Sequence, residues 1–340
     1  MDPSTLQTTW FVLLGLVWGL YLVLGGTDLG VGMLVRRTDR RTALRAIGPT
    51  WAANDVWLII AVAATLGAFP GWYAAWTSAF YVPLVLLVGA VIVRHGAIEL
   101  IAHASPRTQE RARGVIVAAS ATVAFGWGVF WAAALTGDLA DPAGAGLGAI
   151  TPVTVLCGLA LVALCRLMGT AFLRLRVPAT RDELPLRATA AAAIVLVLTT
   201  AVALAADAAP GLEAGRALVV PFAVVAALGL VALPLAARGG RDGRTLVAGA
   251  AITAGGFGVV LAVLFPTPVA GPGGVALASA AAGDTTLTWM LAIAVVLVPL
   301  VTAALAFAYV RFLEAPEGGP RRGLAAAVGR AARGTLGELR

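Results

Sequence analysis

Runs of about twenty apolar residues recur along the whole chain, separated by short breaks of arginine or of Gly, Pro, Ala and Asp. A run of that length crosses a membrane as an α-helix. Read between breakers, the pattern predicts nine spans, at 10–34, 51–66, 76–100, 113–136, 152–173, 186–206, 218–236, 245–265 and 286–313. The second is short, and its start can be drawn back toward residue 47. The third and ninth are long enough to tilt, with Pro83 and Pro299 as kink candidates. The strict alternation of a membrane β-barrel is absent. The first run is too long, and lacks the basic leader, for a cleavable signal peptide. The expected fold class is an all-α polytopic membrane protein. One transmembrane helical domain covers 1–313. A basic tail covers 314–340, read as disordered rather than as a helix lying on the membrane surface.

Composition agrees with the pattern. The 340 residues are 60% hydrophobic and only 12% charged. A soluble domain carries about twice that charged fraction. The formal charge of +7 has a cause other than nucleic acid. The basic residues are all arginine, and most fall in alternate connections. Arg36, Arg37, Arg40, Arg41 and Arg45 fill the first; Arg107, Arg111 and Arg113 the third. Arg174, Arg176, Arg181 and Arg187 surround the fifth, and Arg238, Arg241 and Arg244 lie in the seventh. Of the even-numbered connections only one holds an arginine, Arg216. By the positive-inside rule the N-terminus is expected outside and the C-terminus in the cytoplasm, with a secondary attraction to anionic lipid.

Against this background a few polar residues stand out. Asp28 lies in LGGTDLGVGML, Asn54 and Asp55 in GPTWAANDVWLII, and Arg94 and Glu99 in VIVRHGAIEL. Ionisable groups within a membrane span cost free energy unless paired or wetted, which makes them functional candidates. Asp28 falls six residues before Leu34, roughly 9 Å from the end of its helix. The second helix begins, and the third ends, on that same side. All five groups are therefore expected in or near the cytoplasmic leaflet. Ordinary readings compete. Arg94 could snorkel to lipid phosphate, Glu99 could be an interfacial charge, and Asp55 could be a first-turn acid favoured by its helix dipole. Asp28 is deeper and flanked by Gly25, Gly26, Gly30 and Gly32. Gly26-xxx-Gly30 is a small-xxx-small pattern that lets a second helix approach.

Cofactor ligands are scarce. His95 and His103 are the only histidines, one near a membrane edge and one in a connection, and neither is read as a haem ligand. Cys157 and Cys165 sit eight residues apart, about 12 Å along a helix, too far for a disulfide and with no metal-ligand spacing. No CxxC, Walker or GxGxxG motif occurs. Trp51, Trp57, Trp72, Tyr73, Trp76 and Tyr81 are expected in interfacial belts. Trp51, Trp57 and Arg94 are also candidates for contact with a quinone ring or a partner subunit. A catalytic centre wholly within this chain is not expected, and metal ligation is expected nowhere in it.

The strings GGTDLGVGML, IGPTWAANDVWLI, AFPGWYAAWTSAFYVPL and VIVRHGAIEL occur in an order and spacing that resembles subunit II of the cytochrome bd-type quinol oxidases. The resemblance covers about residues 10–100, with a weaker echo in LFP and TLTWMLAIAVVLVPLV. It implies a multi-pass protein of the bacterial cytoplasmic membrane. Its partner would be a larger subunit I that holds haem b, haem d and the quinol site. The complex would oxidise quinol, reduce oxygen to water and draw protons from the cytoplasm. Subunit II would support its partner and contribute to the proton path. A structural quinone and a small accessory subunit are further implied candidates; membrane lipid is a partner and nucleic acid is not. Asp28, Trp51, Asn54 and Glu99 match family positions. Gly25 and Ala52 stand where the family usually carries acids, and Asp55 where it often carries Glu or Gln. Asp28, Asp55 and Glu99, with Asn54 as a hydrogen-bonding relay, are then the candidates for a cytoplasmic proton entrance. Two alternatives stay open: a secondary transporter, and a structural partner subunit that has lost the proton path.

Overall fold

The computed structural model describes residues 2–37, 40–101, 104–139, 146–207, 216–269 and 274–314; side chains are described for these except at 40–53, 206, 207, 216 and 308–314. His103, the side chain of Trp51 and the basic tail beyond residue 314 lie outside that description. The chain divides into two compact units, Met1–Ala294 and Val295–Arg340.

Eleven helices are used to describe it. They are α1 (Thr5–Leu34), α2 (Arg40–Ala68), α3 (Pro70–Ala79), α4 (Tyr81–Leu100), α5 (Pro106–Thr136) and α6 (Pro152–Arg176). There follow α7 (Leu186–Asp207), α8 (Arg216–Arg238), α9 (Asp242–Leu264), the single turn α10 (Leu277–Ala280) and α11 (Asp284–Glu314). Among the described residues eight helices are long and apolar enough to cross a membrane, or nine if the bent pair α2–α3 counts as one span. The apolar runs thus became helices in the expected order.

Local chemistry sets several ends. Ser4 and Gln7 form a reciprocal capping box at the start of α1, and Thr151 and Thr154 do the same at α6. Pro106 and Pro152 occupy first-turn positions, where the missing N–H costs nothing. Gly137, at φ 85°, stops α5 in the left-handed conformation that an L side chain resists.

Two expectations need correction. The span drawn at 76–100 starts at Tyr81, because the chain breaks at Phe80; Pro83 therefore lies in the first turn of α4 and kinks nothing. Residues 70–79 form α3, bent 116° from α2. Second, Trp57, Trp72 and Trp76 are not belt residues. They are 3%, 1% and 4% exposed. The bend at Phe69 turns α3 inward, where Trp72 packs on Phe11 and Trp76 meets Phe130 and Trp131 edge to face. Tyr81, by contrast, is exposed.

In the first unit α1 is central. It packs against α6, α5 and α2, and α4–α5, α5–α6, α6–α7, α6–α9 and α8–α9 are further neighbouring pairs. The α1–α6 crossing is the closest. A Cβ at Gly30 would lie 1.8 Å from the carbonyl oxygen of Cys165, and one at Gly169 would lie 2.3 Å from the backbone carbon of Gly30. Only paired glycines allow this backbone-on-backbone contact, so the small-residue pattern around Asp28 is a true packing surface. At the end of the bundle where the arginines gather, Arg36 pairs with Glu110 at 2.7 Å, and Arg113 donates to the carbonyl oxygen of Val35 at 2.7 and 3.1 Å. Buried Asp242 receives Arg174 at 2.8 Å and Arg181 at 3.1 Å. Some arginines of the topology signal thus also lock helix ends together. The outer faces of α4, α7 and α8 expose Leu86, Ile92, Val202, Val231 and Leu235, as expected of surfaces that meet lipid or another apolar chain.

In the second unit, Val295, Val296, Leu300 and Phe307 are exposed along α11, which contains Pro299.

Candidate functional site

The site begins with an irregularity in α1. Residues Tyr21–Gly25 form a π-helical turn inside the helix. Such a turn adds a residue and reorients the side chains that follow; it is frequent at functional sites. Tyr21 and Gly25 face a small cavity, and Asp28, one turn further on, lines the same space.

Asp28 is 4% exposed. A carboxyl group buried so deeply needs hydrogen bonds. Asn54, 2% exposed on α2, provides one: its Nδ2 donates to Asp28 Oδ2 and also to the carbonyl oxygen of Leu24, the latter at 3.3 Å. The amide thereby ties α2 to α1 and fixes the carboxyl group in place. One residue further along α2, Asp55 lines the same cavity and pairs with His95 of α4, with Nε2 and Oδ2 2.5 Å apart. Arg94 completes the wall. It is 3% exposed, so it does not snorkel to lipid; it turns inward, and its Nε donates to Ser120 Oγ of α5 at 3.2 Å. Its Nη2 is buried with no hydrogen-bond partner. Above the polar groups, Tyr21 Oη accepts from Trp127 Nε1 at 2.9 Å.

The cavity is lined by Tyr21, Gly25, Asp28, Leu29, Asp55, Val91, Arg94 and Val123. A water centre can move within it over about 10 Å³, which is room for one molecule. Asp28, Asp55, Arg94 and Tyr21 are the polar residues of its otherwise apolar wall, so two carboxyl groups, a guanidinium and a phenol border one water-sized space.

Four candidates named from the sequence are therefore brought together: Asp28, Asn54, Asp55 and Arg94. Glu99 is not on the cavity wall; it lies on the exposed side of α4. Trp57 is buried within this chain, and its Nε1 has no hydrogen-bond partner. It is not on an outer face where a partner subunit would dock. Sequence reading missed Tyr21, His95 and Ser120. A signal existed for two of them: Tyr21 precedes Asp28 by two helical turns, and His95 precedes Glu99 by one, so each shares a helix face with a residue already singled out.

Among the described residues no group of three or more His, Cys, Asp or Glu could hold a metal ion. Two small cavities of about 10 Å³ each lie in the interior. The second is walled by Leu22, Gly26, Trp127, Leu161 and Cys165 and is almost wholly apolar.

The family described as cytochrome bd terminal oxidase subunit II matches residues 6–312. The chain belongs to that family. The match extends well beyond the first hundred residues, where the sequence resemblance was densest. "Cytochrome bd ubiquinol oxidase subunit 2" of Bacillus subtilis is 38% identical over 101 residues, 28% of this chain and 30% of the relative. "Cytochrome bd-I ubiquinol oxidase subunit 2" of Escherichia coli K12 is 38% identical over 99 residues, 28% of this chain and 26% of the relative. The aligned region thus spans less than a third of these curated relatives. In fold, the subunit is similar to a chain in the structure of bd oxidase from Geobacillus thermodenitrificans. That likeness has a TM-score of 0.73 and 15% identity, and covers 90% of this chain and 98% of the other. The protein is accordingly a multi-pass bacterial membrane subunit of an oxidoreductase family. This membership displaces the secondary-transporter alternative.

Proposed function

We propose that this chain is the haem-poor subunit of a quinol:oxygen oxidoreductase, supporting a larger haem-bearing subunit I and giving it a proton entrance from the cytoplasm. The observation that carries the reading is the buried Asp28–Asn54 pair facing Asp55 across a one-water cavity, at the arginine-rich end of the bundle. That end faces the cytoplasm under the positive-inside rule. Haems b and d in the partner supply the electron transfer and oxygen reduction. A structural quinone is a further candidate ligand, and quinol and oxygen are substrates of the complex.

The residues of this chain have separable tasks. Glu99, exposed on α4, concentrates protons at the surface. Asp55 takes a proton at the half-buried mouth and passes it through the cavity water to Asp28. Asn54 holds the Asp28 carboxyl in position and is a positioning residue rather than a carrier. Arg94 keeps the pair of acids from repelling one another. Proton transfer needs groups within hydrogen-bond reach, directly or through one water, and the shared cavity wall of Asp28 and Asp55 supports the reading.

The test is Asp28→Asn and Asp55→Asn in the assembled oxidase. Both are expected to slow quinol-driven oxygen consumption by about tenfold or more, with haem absorption bands intact. Wild-type turnover with wild-type proton uptake in both variants would leave the subunit a structural partner only.

A further inference from the structure

We propose that His95 is the proton-loading group of this subunit, delivering protons to Asp55 as one half of a His–carboxyl pair at the mouth of the cavity. The inference deepens the proton-entrance reading and rests on it.

Three observations carry it. The first is contact: His95 Nε2 and Asp55 Oδ2 lie 2.5 Å apart, joining α4 to α2. The second is a gradient of exposure. The side chains of His95 and Asp55 are 29% and 21% exposed. Asp28, Arg94 and Asn54, behind them, are 4%, 3% and 2% exposed. The pair therefore stands between the outside and the sealed interior. The third is continuity: Asp55 belongs both to this pair and to the cavity wall with Asp28. A proton reaching His95 thus has a route inward through Asp55 to the cavity whose wall Asp55 shares with Asp28.

The chemistry suits imidazole. A neutral ring carries one proton and one lone pair on opposite nitrogens. It can accept a proton at Nδ1 while releasing one from Nε2, so the ring returns to neutrality and a single proton has moved across it. In each cycle Nδ1 gains a proton, the Nε2–H bond breaks, and Asp55 Oδ2 becomes protonated; the ring regains its starting tautomer when Nδ1 returns its proton to water and Nε2 takes one up, so the net transfer is one proton from water to Asp55. Asp55 then gives its proton to the cavity water as that water gives one to Asp28. Nothing is oxidised or reduced. Among the described residues, the titratable and charged groups on the elements packed here are Arg94 and Glu99 on α4, Asp55 on α2, and Asp28 and Tyr21 on α1, with the neutral Ser120 on α5 bonded to Arg94. Glu99 lies four residues beyond His95, on the same helix face. It is the acid next in line toward water.

The experiment uses the oxidase purified with its partner subunit, with haem bands as the measure of assembly. His95→Ala and His95→Gln are expected to lower quinol-driven turnover by about tenfold, and added imidazole is expected to restore His95→Ala. Imidazole is expected to do nothing for Asp28→Asn, whose block lies further in. A His95→Ala variant at wild-type turnover overturns the assignment. So does a loss in His95→Ala that imidazole leaves untouched and His95→Gln does not share, since that pattern marks a packing role. In both of those outcomes a slow Asp28→Asn keeps the proton-entrance reading standing. Wild-type turnover in Asp28→Asn removes the entrance itself, and the role of His95 with it.

Discussion

Asp28 and Asn54 show how a buried acid is tolerated in an apolar bundle. The carboxyl group has lost bulk water, and the amide of Asn54 replaces part of what was lost. Removing only the donor leaves the acid unsatisfied, which costs more than removing both partners. Asn54→Ala is therefore expected to lower stability by roughly 1.5–3 kcal/mol. In the Asp28→Asn background the same change is expected to cost clearly less. A double-mutant cycle on the thermal midpoint of the purified complex checks this; additive losses would mean the two side chains do not act as a pair. Both residues were legible in the sequence, because an Asp or Asn in an apolar run is conspicuous. Arg94 was conspicuous too, but its direction was not. Only the neighbouring helix α5, with Ser120 at hydrogen-bond distance, decided between lipid and interior. His95 was read as a poor haem ligand, and sequence alone offered no reason to set it against Asp55, forty residues away.

At the scale of helices, the crossing of α1 and α6 and the π turn of α1 do most to place the site. Glycine at 30 and 169 brings two backbones into contact, and that contact fixes the height and rotation of Asp28. Gly30→Ala forces a Cβ to 1.8 Å from the Cys165 carbonyl oxygen, so the helices must part. The expected loss is about 1–3 kcal/mol or more. Gly96 on α4 has nothing within 4 Å of its would-be Cβ, and Gly96→Ala is expected to be neutral or to stabilise by up to ~1 kcal/mol through helix propensity. Thermal denaturation of the two variants side by side separates close packing from a general intolerance of alanine; equal losses would refute the crossing. The small-xxx-small spacing announced this surface in advance. The π turn did not announce itself, since nothing in YLVLG departs from an ordinary helix. The aromatic core was misplaced for a related reason. Tryptophans near span ends usually sit at interfaces, but the 116° bend at Phe69 folds α3 back under the bundle.

Across the molecule, the alternation of arginine-rich and arginine-poor connections predicts the orientation on which the proton-entrance reading depends. In a background with Cys157 and Cys165 replaced by Ala, a cysteine at Ser279 is expected to react with an impermeant maleimide added to intact cells. A cysteine at Arg241 is expected to react only after permeabilisation. Both positions are exposed, so access rather than burial controls the outcome. The reverse pattern would invert the topology and put the cavity mouth on the outer side. The sequence by itself determined the all-α class and the order of the apolar helices, because ~20-residue apolar runs admit one kind of structure in a bilayer, and its quoted strings determined the family. It also determined which polar residues were out of place. The tertiary structure alone decided which of them meet. Whether Asp28 faces Asn54, whether Arg94 turns inward, and whether His95 reaches Asp55 depend on helix rotation and crossing. Those are set by packing between segments far apart in the chain, and no local pattern encodes them.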